Sequence, residues 1–220
     1  MCAVRPGSNT EMDMMFVMAL ADRLNGARIL DWYDQWTSSW HLQPYLSETA
    51  ESIHAAIKDL HQANFELWHQ EDKARDTKAG DAAVAGAKRA IDRINQQRND
   101  QIEICDTLLL QELAGETLPH PQAELHSETP GQMLDRLSIL SLKRFHTLEE
   151  IERADAPAGH RKRNLERLAI LNAQRSDLAL CLERVWHRVL GGELRFQVYR
   201  QLKMYNDPEL NPALYQRFKP

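Results

Sequence analysis

The sequence predicts an all-α fold: an antiparallel four-helix-bundle-like core with short N-terminal helices and a C-terminal helical, turn-rich tail. Three observations predict it. Apolar residues recur with the 3.6-residue period of a helix along four long segments, and glycine and proline are scarce inside those segments. No stretch alternates apolar and polar residues as a half-buried strand would. Long helices that follow one another along a chain bury their apolar faces most simply as an antiparallel bundle.

The four long helices have recognisable ends. We predict them over about residues 48–76, 81–113, 130–154 and 160–190. Ser47 is a suitable N-cap for the first helix. Thr129, Pro130 and Gln132 together form the start signal of the third helix, because they supply a capping hydroxyl, a proline at the first helical position and a capping-box glutamine. Gly191 ends the fourth helix.

The chain is divided into a bundle domain at 46–190 and two flanking segments. Residues 1–45 form an N-terminal helical extension, and residues 191–220 form a C-terminal helix and tail that pack on the bundle. The extension places Trp32, Trp36 and Trp40 four residues apart on one helical face. Such a stripe favours docking of an extra helix onto a core, although tryptophans also stack on sugars and join subunits.

Composition limits the classes of function. A formal net charge of -5 argues against a general nucleic-acid-binding protein, which needs a basic face. Three scattered cysteines are too few for a disulfide framework and indicate a reducing compartment. The longest apolar run, residues 14–21, is too short to span a bilayer, so we expect a cytoplasmic protein without membrane insertion. Phosphate-binding glycine loops, HExxH pairs and nucleophile elbows do not occur in the sequence.

Several polar or aromatic residues lie on or beside the apolar faces of the helices, where a buried charge is costly without a partner. In chain order they are Asn64, Trp68, Glu71, Asp72, Asn95, Arg98, Asn99 and Arg175. Glu71, Arg98 and Arg175 lie at or near the centres of three different faces. His69 falls on the opposite side of its helix and is the weaker functional candidate.

One interpretation of these residues is structural. Glu71 would lie between Arg98 and Arg175, with Asn64 and Asn95 satisfying the remaining hydrogen bonds. Such a cluster fixes the register of the helices at some cost in stability.

The other interpretation is a ligand site, because one glutamate and two arginines leave an excess positive charge that suits a phosphate or carboxylate. The ligand-binding residues would then be Asn64, Trp68, Asn95, Arg98, Asn99 and Arg175. Glu71 and Asp72 are the catalytic candidates. Two nearby arginines lower the pKa of a carboxylate, so we expect Glu71 to orient the arginines in preference to acting as a general base.

A third interpretation is a metal site built from carboxylates. The residues are Glu71, Asp72 and Asp106, with Asp100 or Glu103. The segment "EICD" at 103–106 matches half of the paired acidic motif of all-α nucleoside triphosphate pyrophosphohydrolases, which hold magnesium. The segment "EDKARD" lacks the other acidic pair, and the arginines would repel a cation. No metal ligand is therefore assigned in the leading hypothesis.

Five segments in the same order resemble one family. They are "LWHQEDKARD", "KRAIDRINQQRNDQIEICD", "SETPGQMLDRLSILSLKRFH", "LERLAILNAQRSDLALCLERV" and "VYRQLKMYNDPELNPALY". Together they resemble the bacterial family named domain of unknown function 4254, over about residues 46–216. The resemblance implies a bacterial cytoplasmic protein often encoded near glycosyltransferases of the heptosyltransferase type, in regions that build lipopolysaccharide or other surface glycans.

We therefore expect a protein that binds or acts on a phosphorylated sugar or nucleotide-sugar during surface-glycan assembly. Two alternatives remain open at this point: a non-enzymatic interaction protein for a glycosyltransferase, and a metal-dependent pyrophosphohydrolase. In the interaction protein the Glu-Arg cluster would be structural, and the tryptophan stripe or the tail would contact the partner or a second copy of the chain. The sequence identifies no cofactor.

Overall fold

The computed structural model describes residues 20–43, 52–76, 78–202 and 209–212. The helices within these ranges are α1 (Gly26–Leu42), α2 (Ile53–Ala74), α3 (Asp81–Ala114), α4 (Pro130–Glu152) and α5 (His160–Leu190), with a 3-10 turn at Asp22–Leu24. Two short strands complete the description, β1 (Glu124–Leu125) and β2 (Leu194–Arg195). The predicted all-α class is confirmed. None of the described helices is both long and apolar enough to cross a bilayer.

The predicted helix ends agree closely with the observed ones. Thr129 and Gln132 form the capping box at the start of α4, with Pro130 in the first turn. Helix α5 begins at His160 and ends at Leu190, as the sequence predicts. Helix α2 begins after Ser52, whose hydroxyl accepts a hydrogen bond from the backbone N–H of Ala55. The expected cap Ser47 lies outside the described residues.

The helices pack as two hairpins. Helices α2 and α3 lie along each other, as do α4 and α5, and α4 also contacts both helices of the first hairpin. Their apolar faces meet in one core, in which Ile57, Leu109, Leu134 and Leu182 are fully buried. Burial of such aliphatic side chains is the main favourable term in folding.

Helix α1 is part of this core. Ile29 and Tyr33 are fully buried, and the Tyr33 hydroxyl donates a hydrogen bond to the Leu134 carbonyl oxygen at 3.1 Å. The tryptophan stripe stacks along α1, and Trp36 and Trp40 also contact the ring of His61 on α2. The described residues of the N-terminal extension therefore share one core with the bundle.

The segment after α5 differs from the prediction. A helix was expected there, but residues 191–202 contain β2 and extended chain, without a helix. Leu194 and Phe196 are buried while the residues next to them are more exposed, which is the period of two of a strand. Gly192, with φ of 73°, turns the chain back after α5, and β2 pairs in parallel with β1. The strand period was missed because it extends over few residues.

Candidate ligand-binding cavity

A cavity of about 340 Å³ lies between α2, α3 and α4. Helix α2 lines it with residues at helical spacing, so that one face of the helix points into the cavity. The lining residues are Asn64, Leu67, Trp68, Glu71 and Asp72 of α2, Arg75 directly after α2, Arg98 of α3, and Ile139 and Leu142 of α4.

The cavity brings together part of the predicted site. Five of the predicted site residues line the cavity: Asn64, Trp68, Glu71, Asp72 and Arg98. Asn95, Asn99 and Arg175 do not line it. Asn99 is buried in α3 and Asn95 is half-buried on the same helix. The structure therefore brings the α2 residues and Arg98 to one place and leaves the other three elsewhere.

Arg98 has a partly unsatisfied guanidinium group. Its Nε lies 3.6 Å from Asp135 Oδ1, beyond ordinary hydrogen-bond length, and this buried nitrogen has no hydrogen-bond partner among the described residues. The terminal nitrogens likewise make no hydrogen bond within the described part of the chain. The side chain is one-quarter exposed (25%) and lines the cavity. Arg98 is thus anchored on one side and can donate hydrogen bonds on the other.

Asp135 supports Arg98 from the inner wall. The carboxylate is buried and accepts a hydrogen bond from Asn64 Nδ2 at 2.8 Å. Burial raises its pKa, while the charge of Arg98 and the hydrogen bond from Asn64 act in the opposite direction. Asn64 Nδ2 also donates to Ser138 Oγ at 3.1 Å. The other polar atom of this side chain, Oδ1, has no hydrogen-bond partner among the described residues.

A buried polar chain extends from Ser138 to α1. The Thr37 hydroxyl donates to the Tyr33 carbonyl oxygen, so it accepts the hydrogen bond that links it to His61 Nε2 at 2.9 Å. His61 Nδ1 is then the acceptor for the Ser138 hydroxyl at 2.8 Å. Burial lowers the pKa of His61 to about 3, which agrees with this neutral tautomer.

Glu71 pairs with Arg75, not with Arg98 or Arg175. Its Oε2 accepts a hydrogen bond from Arg75 Nη1 at 2.8 Å, across one turn of α2. The expected cluster in which Glu71 lies between two arginines is therefore not formed. Arg75 was missed as a cavity residue, although the i, i+4 spacing of Glu71 and Arg75 is a signal for a helix-surface ion pair.

Arg175 lies in a different part of the core. Its Nη2 donates to Asp34 Oδ1 at 2.8 Å and to the Leu30 carbonyl oxygen at 2.7 Å. Its Nε donates to Ser141 Oγ at 2.9 Å. The side chain is buried, and burial lowers its pKa while the Asp34 carboxylate raises it. Arg175 connects α5 to α1 and α4, and sequence reasoning did not identify Asp34 as its partner because Asp34 lies 141 residues away.

Asp106 anchors the start of α4. Its Oδ1 accepts a hydrogen bond from the backbone N–H of Gly131 at 2.7 Å, and burial raises its pKa to about 6. Asp106, which the metal interpretation includes among its ligands, therefore serves as a cap for α4. In the described part of the chain, Glu71, Asp72 and Asp106 do not belong to a group with converging ligand atoms.

Sequence reasoning missed a group of histidines beside the cavity. His41, His69 and His146, which we call the histidine cluster, each offer a ring nitrogen within 4.8 Å of the others. The Trp68 ring stacks on His146, with 4.6 Å between ring centroids, so the cluster adjoins the cavity wall. The pKa of His69 is lowered by burial and by the other two rings. No local spacing reveals this group, because its members come from α1, α2 and α4.

The comparison with known proteins identifies the family. The sequence model of the family described as "Protein of unknown function (DUF4254)" matches residues 54–198, which extend from α2 past β2. No curated protein and no solved structure gives a significant match. The matched residues contain every residue that lines the cavity, together with His69 and His146 of the histidine cluster. The chain belongs to the DUF4254 family.

Proposed function

We propose that the cavity binds the phosphate-bearing part of a phosphorylated sugar or nucleotide-sugar. The observation that carries the proposal is the guanidinium of Arg98, which lines the cavity with terminal nitrogens free of hydrogen bonds to the described residues. A guanidinium presents a planar fork of donors that matches the oxygens of a phosphate. Asp135 holds the inner edge of this fork and leaves the outer edge for the ligand.

Trp68 supports the sugar part of the proposal. Its indole lines the cavity and is held by stacking on His146, so the ring is fixed before a ligand arrives. A fixed aromatic face costs little conformational entropy when a sugar ring packs on it. The unpaired Oδ1 of Asn64 adds an acceptor for a sugar hydroxyl.

The carboxylates on α2 have separate roles. Glu71 orients Arg75, which becomes the second cationic group of the cavity in place of Arg175. Asp72 is exposed, lines the cavity and makes no side-chain hydrogen bond to a described residue. Asp72 is therefore the carboxylate that accepts a hydrogen bond from a ligand hydroxyl.

We further place this binding activity in the cytoplasm, in the assembly of lipopolysaccharide or another surface glycan. The precursors in such assembly are sugars linked to phosphate or nucleotide, and a phosphate with an attached sugar ring is the ligand that a free arginine fork beside a tryptophan suits. A glycosyltransferase is the partner that would receive or supply the ligand.

Differential scanning fluorimetry and isothermal titration calorimetry against sugar phosphates and nucleotide-sugars test the proposal. A ligand at about 100 times its Kd stabilises the native state by about 2.7 kcal/mol, which raises the Tm of a chain of this size by several degrees. Arg98→Met should abolish this rise, and Trp68→Leu should weaken binding to sugar phosphates more than to inorganic phosphate.

Arg93→Met is the matched control, since Arg93 is exposed on the same helix and forms no ion pair with a described residue. Binding that survives in Arg98→Met, or the absence of binding by every sugar phosphate and nucleotide-sugar, contradicts the proposal. The second result would direct the search to protein partners.

A further inference from the structure

We propose that the histidine cluster is a binding site for one divalent transition-metal ion of the zinc type. The ligands are His41 at the end of α1, His69 on α2 and His146 on α4. Imidazole nitrogens suit zinc and its neighbours in the first transition row better than magnesium or calcium. The proposal is independent of what the cavity binds.

The spacing of the rings suits such an ion. One nitrogen from each ring lies within 4.8 Å of the other two, so a point exists that is about 2.8 Å or less from all three. Zinc–nitrogen bonds are about 2.0–2.1 Å long, so each ring has to move by less than about 1 Å to coordinate an ion there. His41 lies in the last turn of its helix and is exposed, which makes this adjustment easy.

The hydrogen bonds of two of the rings prepare them as ligands. His41 Nδ1 donates to the Thr37 carbonyl oxygen at 2.8 Å, and His146 Nδ1 donates to Glu149 Oε2 at 2.7 Å. Each bond fixes the tautomer in which Nε2 carries the lone pair. This pairing of one ring nitrogen with a carbonyl or carboxylate oxygen is typical of metal-bound histidines.

His146 Nε2 provides a separate indication. This nitrogen is buried and has no hydrogen-bond partner among the described residues. A buried polar atom without a partner is costly, and a bound ion would satisfy it. Phe145 stacks on His41, and Trp68 stacks on His146, so aromatic rings hold two of the ligands in place.

The three ligands leave one coordination position open. Three protein ligands with an open fourth position are typical of catalytic zinc sites, whereas structural sites are closed by four. The Glu149 carboxylate beside His146 and the Asp72 carboxylate near His69 offset part of the charge of a dication. The histidine cluster lies beside the cavity wall, because the His146 ring stacks on the cavity residue Trp68.

Metal titration of the full chain, prepared without a histidine tag, tests the proposal. Equilibrium dialysis with zinc should give one ion per chain, and cobalt should give the intense visible absorption of a four-coordinate site. His41→Ala and His69→Ala should each raise the Kd for zinc at least tenfold and remove the cobalt band. Glu149→Gln should raise the Kd about tenfold, because the partner of a ligating histidine tunes its affinity.

His187→Ala is the matched control, because His187 is an exposed histidine on α5 outside the cluster. It should leave the stoichiometry and the cobalt spectrum unchanged. Zinc binding that is absent in the wild type, or that persists with the same Kd in the His41→Ala and His69→Ala variants, overturns the proposal. Circular dichroism of both variants confirms that they are folded, so that a loss of binding is assigned to the ligands.

Discussion

Arg175 and Asp34 join α5 to α1, with 2.8 Å between Nη2 and Oδ1. The arginine is 7% exposed, and it also donates to the Leu30 carbonyl oxygen and to Ser141. Three elements of the core thus meet at one guanidinium. Arg175 donates these three hydrogen bonds within the protein, whereas Arg98 donates none to a described residue.

Arg175→Met should lower the free energy of unfolding by about 2–3 kcal/mol, because the hydrogen bonds from a buried charged donor to Asp34, Leu30 and Ser141 are lost. Urea unfolding followed by circular dichroism measures this change. Arg184→Met, at an exposed position of the same helix, should change it by less than about 0.5 kcal/mol. An unchanged midpoint in Arg175→Met would contradict the structural role. Ligand binding in the cavity should be retained.

His61→Phe should alter the pH dependence of stability. The pKa of His61 is about 3 in the folded chain and about 6.5 when unfolded, so its contribution is complete above pH 6.5 and is lost as the pH falls. Between pH 6 and 4 the stability advantage of the wild type over the variant should shrink by about 1.4 kcal/mol per pH unit. Urea unfolding of both proteins at several pH values measures this difference in unfolding free energy. A difference that does not change with pH would rule out a buried neutral His61.

Asp106→Asn should have the opposite dependence. The pKa of Asp106 is raised by burial to about 6, so its favourable contribution is complete below about pH 4 and is lost as the pH rises through 6. An asparagine still accepts from the Gly131 N–H. The variant should therefore gain about 3 kcal/mol relative to the wild type between pH 4 and pH 8. Asp92→Asn, exposed on the same helix, should show no such gain.

Gly131→Ala should destabilise the fold by about 1–3 kcal/mol. A Cβ there would lie 2.6 Å from the Ile102 carbonyl oxygen and 2.9 Å from Asp106, so α4 would be pushed away from α3. Gly86→Ala is the matched control, since no atom lies within 4 Å of its Cβ position and the helix interior favours alanine. It should stabilise by about 0.5–1 kcal/mol. If Gly131→Ala and Gly86→Ala changed the Tm equally, the close approach of α4 to α3 at Gly131 would be refuted.

The periodic features of the chain were predictable from the sequence, and the long-range pairings were not. The 3.6-residue pattern and the capping residues located the helices, since both signals are local. The sequence also predicted that polar residues of α2 and Arg98 of α3 would meet, because charged residues on an apolar stripe need partners. The partners themselves, Asp135 for Arg98 and Asp34 for Arg175, depend on which helices become neighbours.

The histidine cluster and the position of α1 were unpredictable for the same reason. His69 lies away from the apolar stripe of its own helix, which indicates a weak functional candidate, but α1 covers that side and brings His41 to it. A helical wheel describes one helix at a time. It therefore cannot show a site that is completed by a segment from another part of the chain.

Because β1 pairs with β2, the core of the protein can be completed only after the residues that follow α5 have been synthesised. Leu194 and Phe196 fill core positions next to α5, and they leave the ribosome only after α1 to α5 have been made. Chains emerge at about 5–20 residues per second, and exposed apolar surface in that interval favours aggregation. A nascent chain that stops at Leu190 would carry an unfilled core and an unpaired β1. Quality-control factors that recognise apolar surface should therefore bind such a truncated chain and ignore the full-length one.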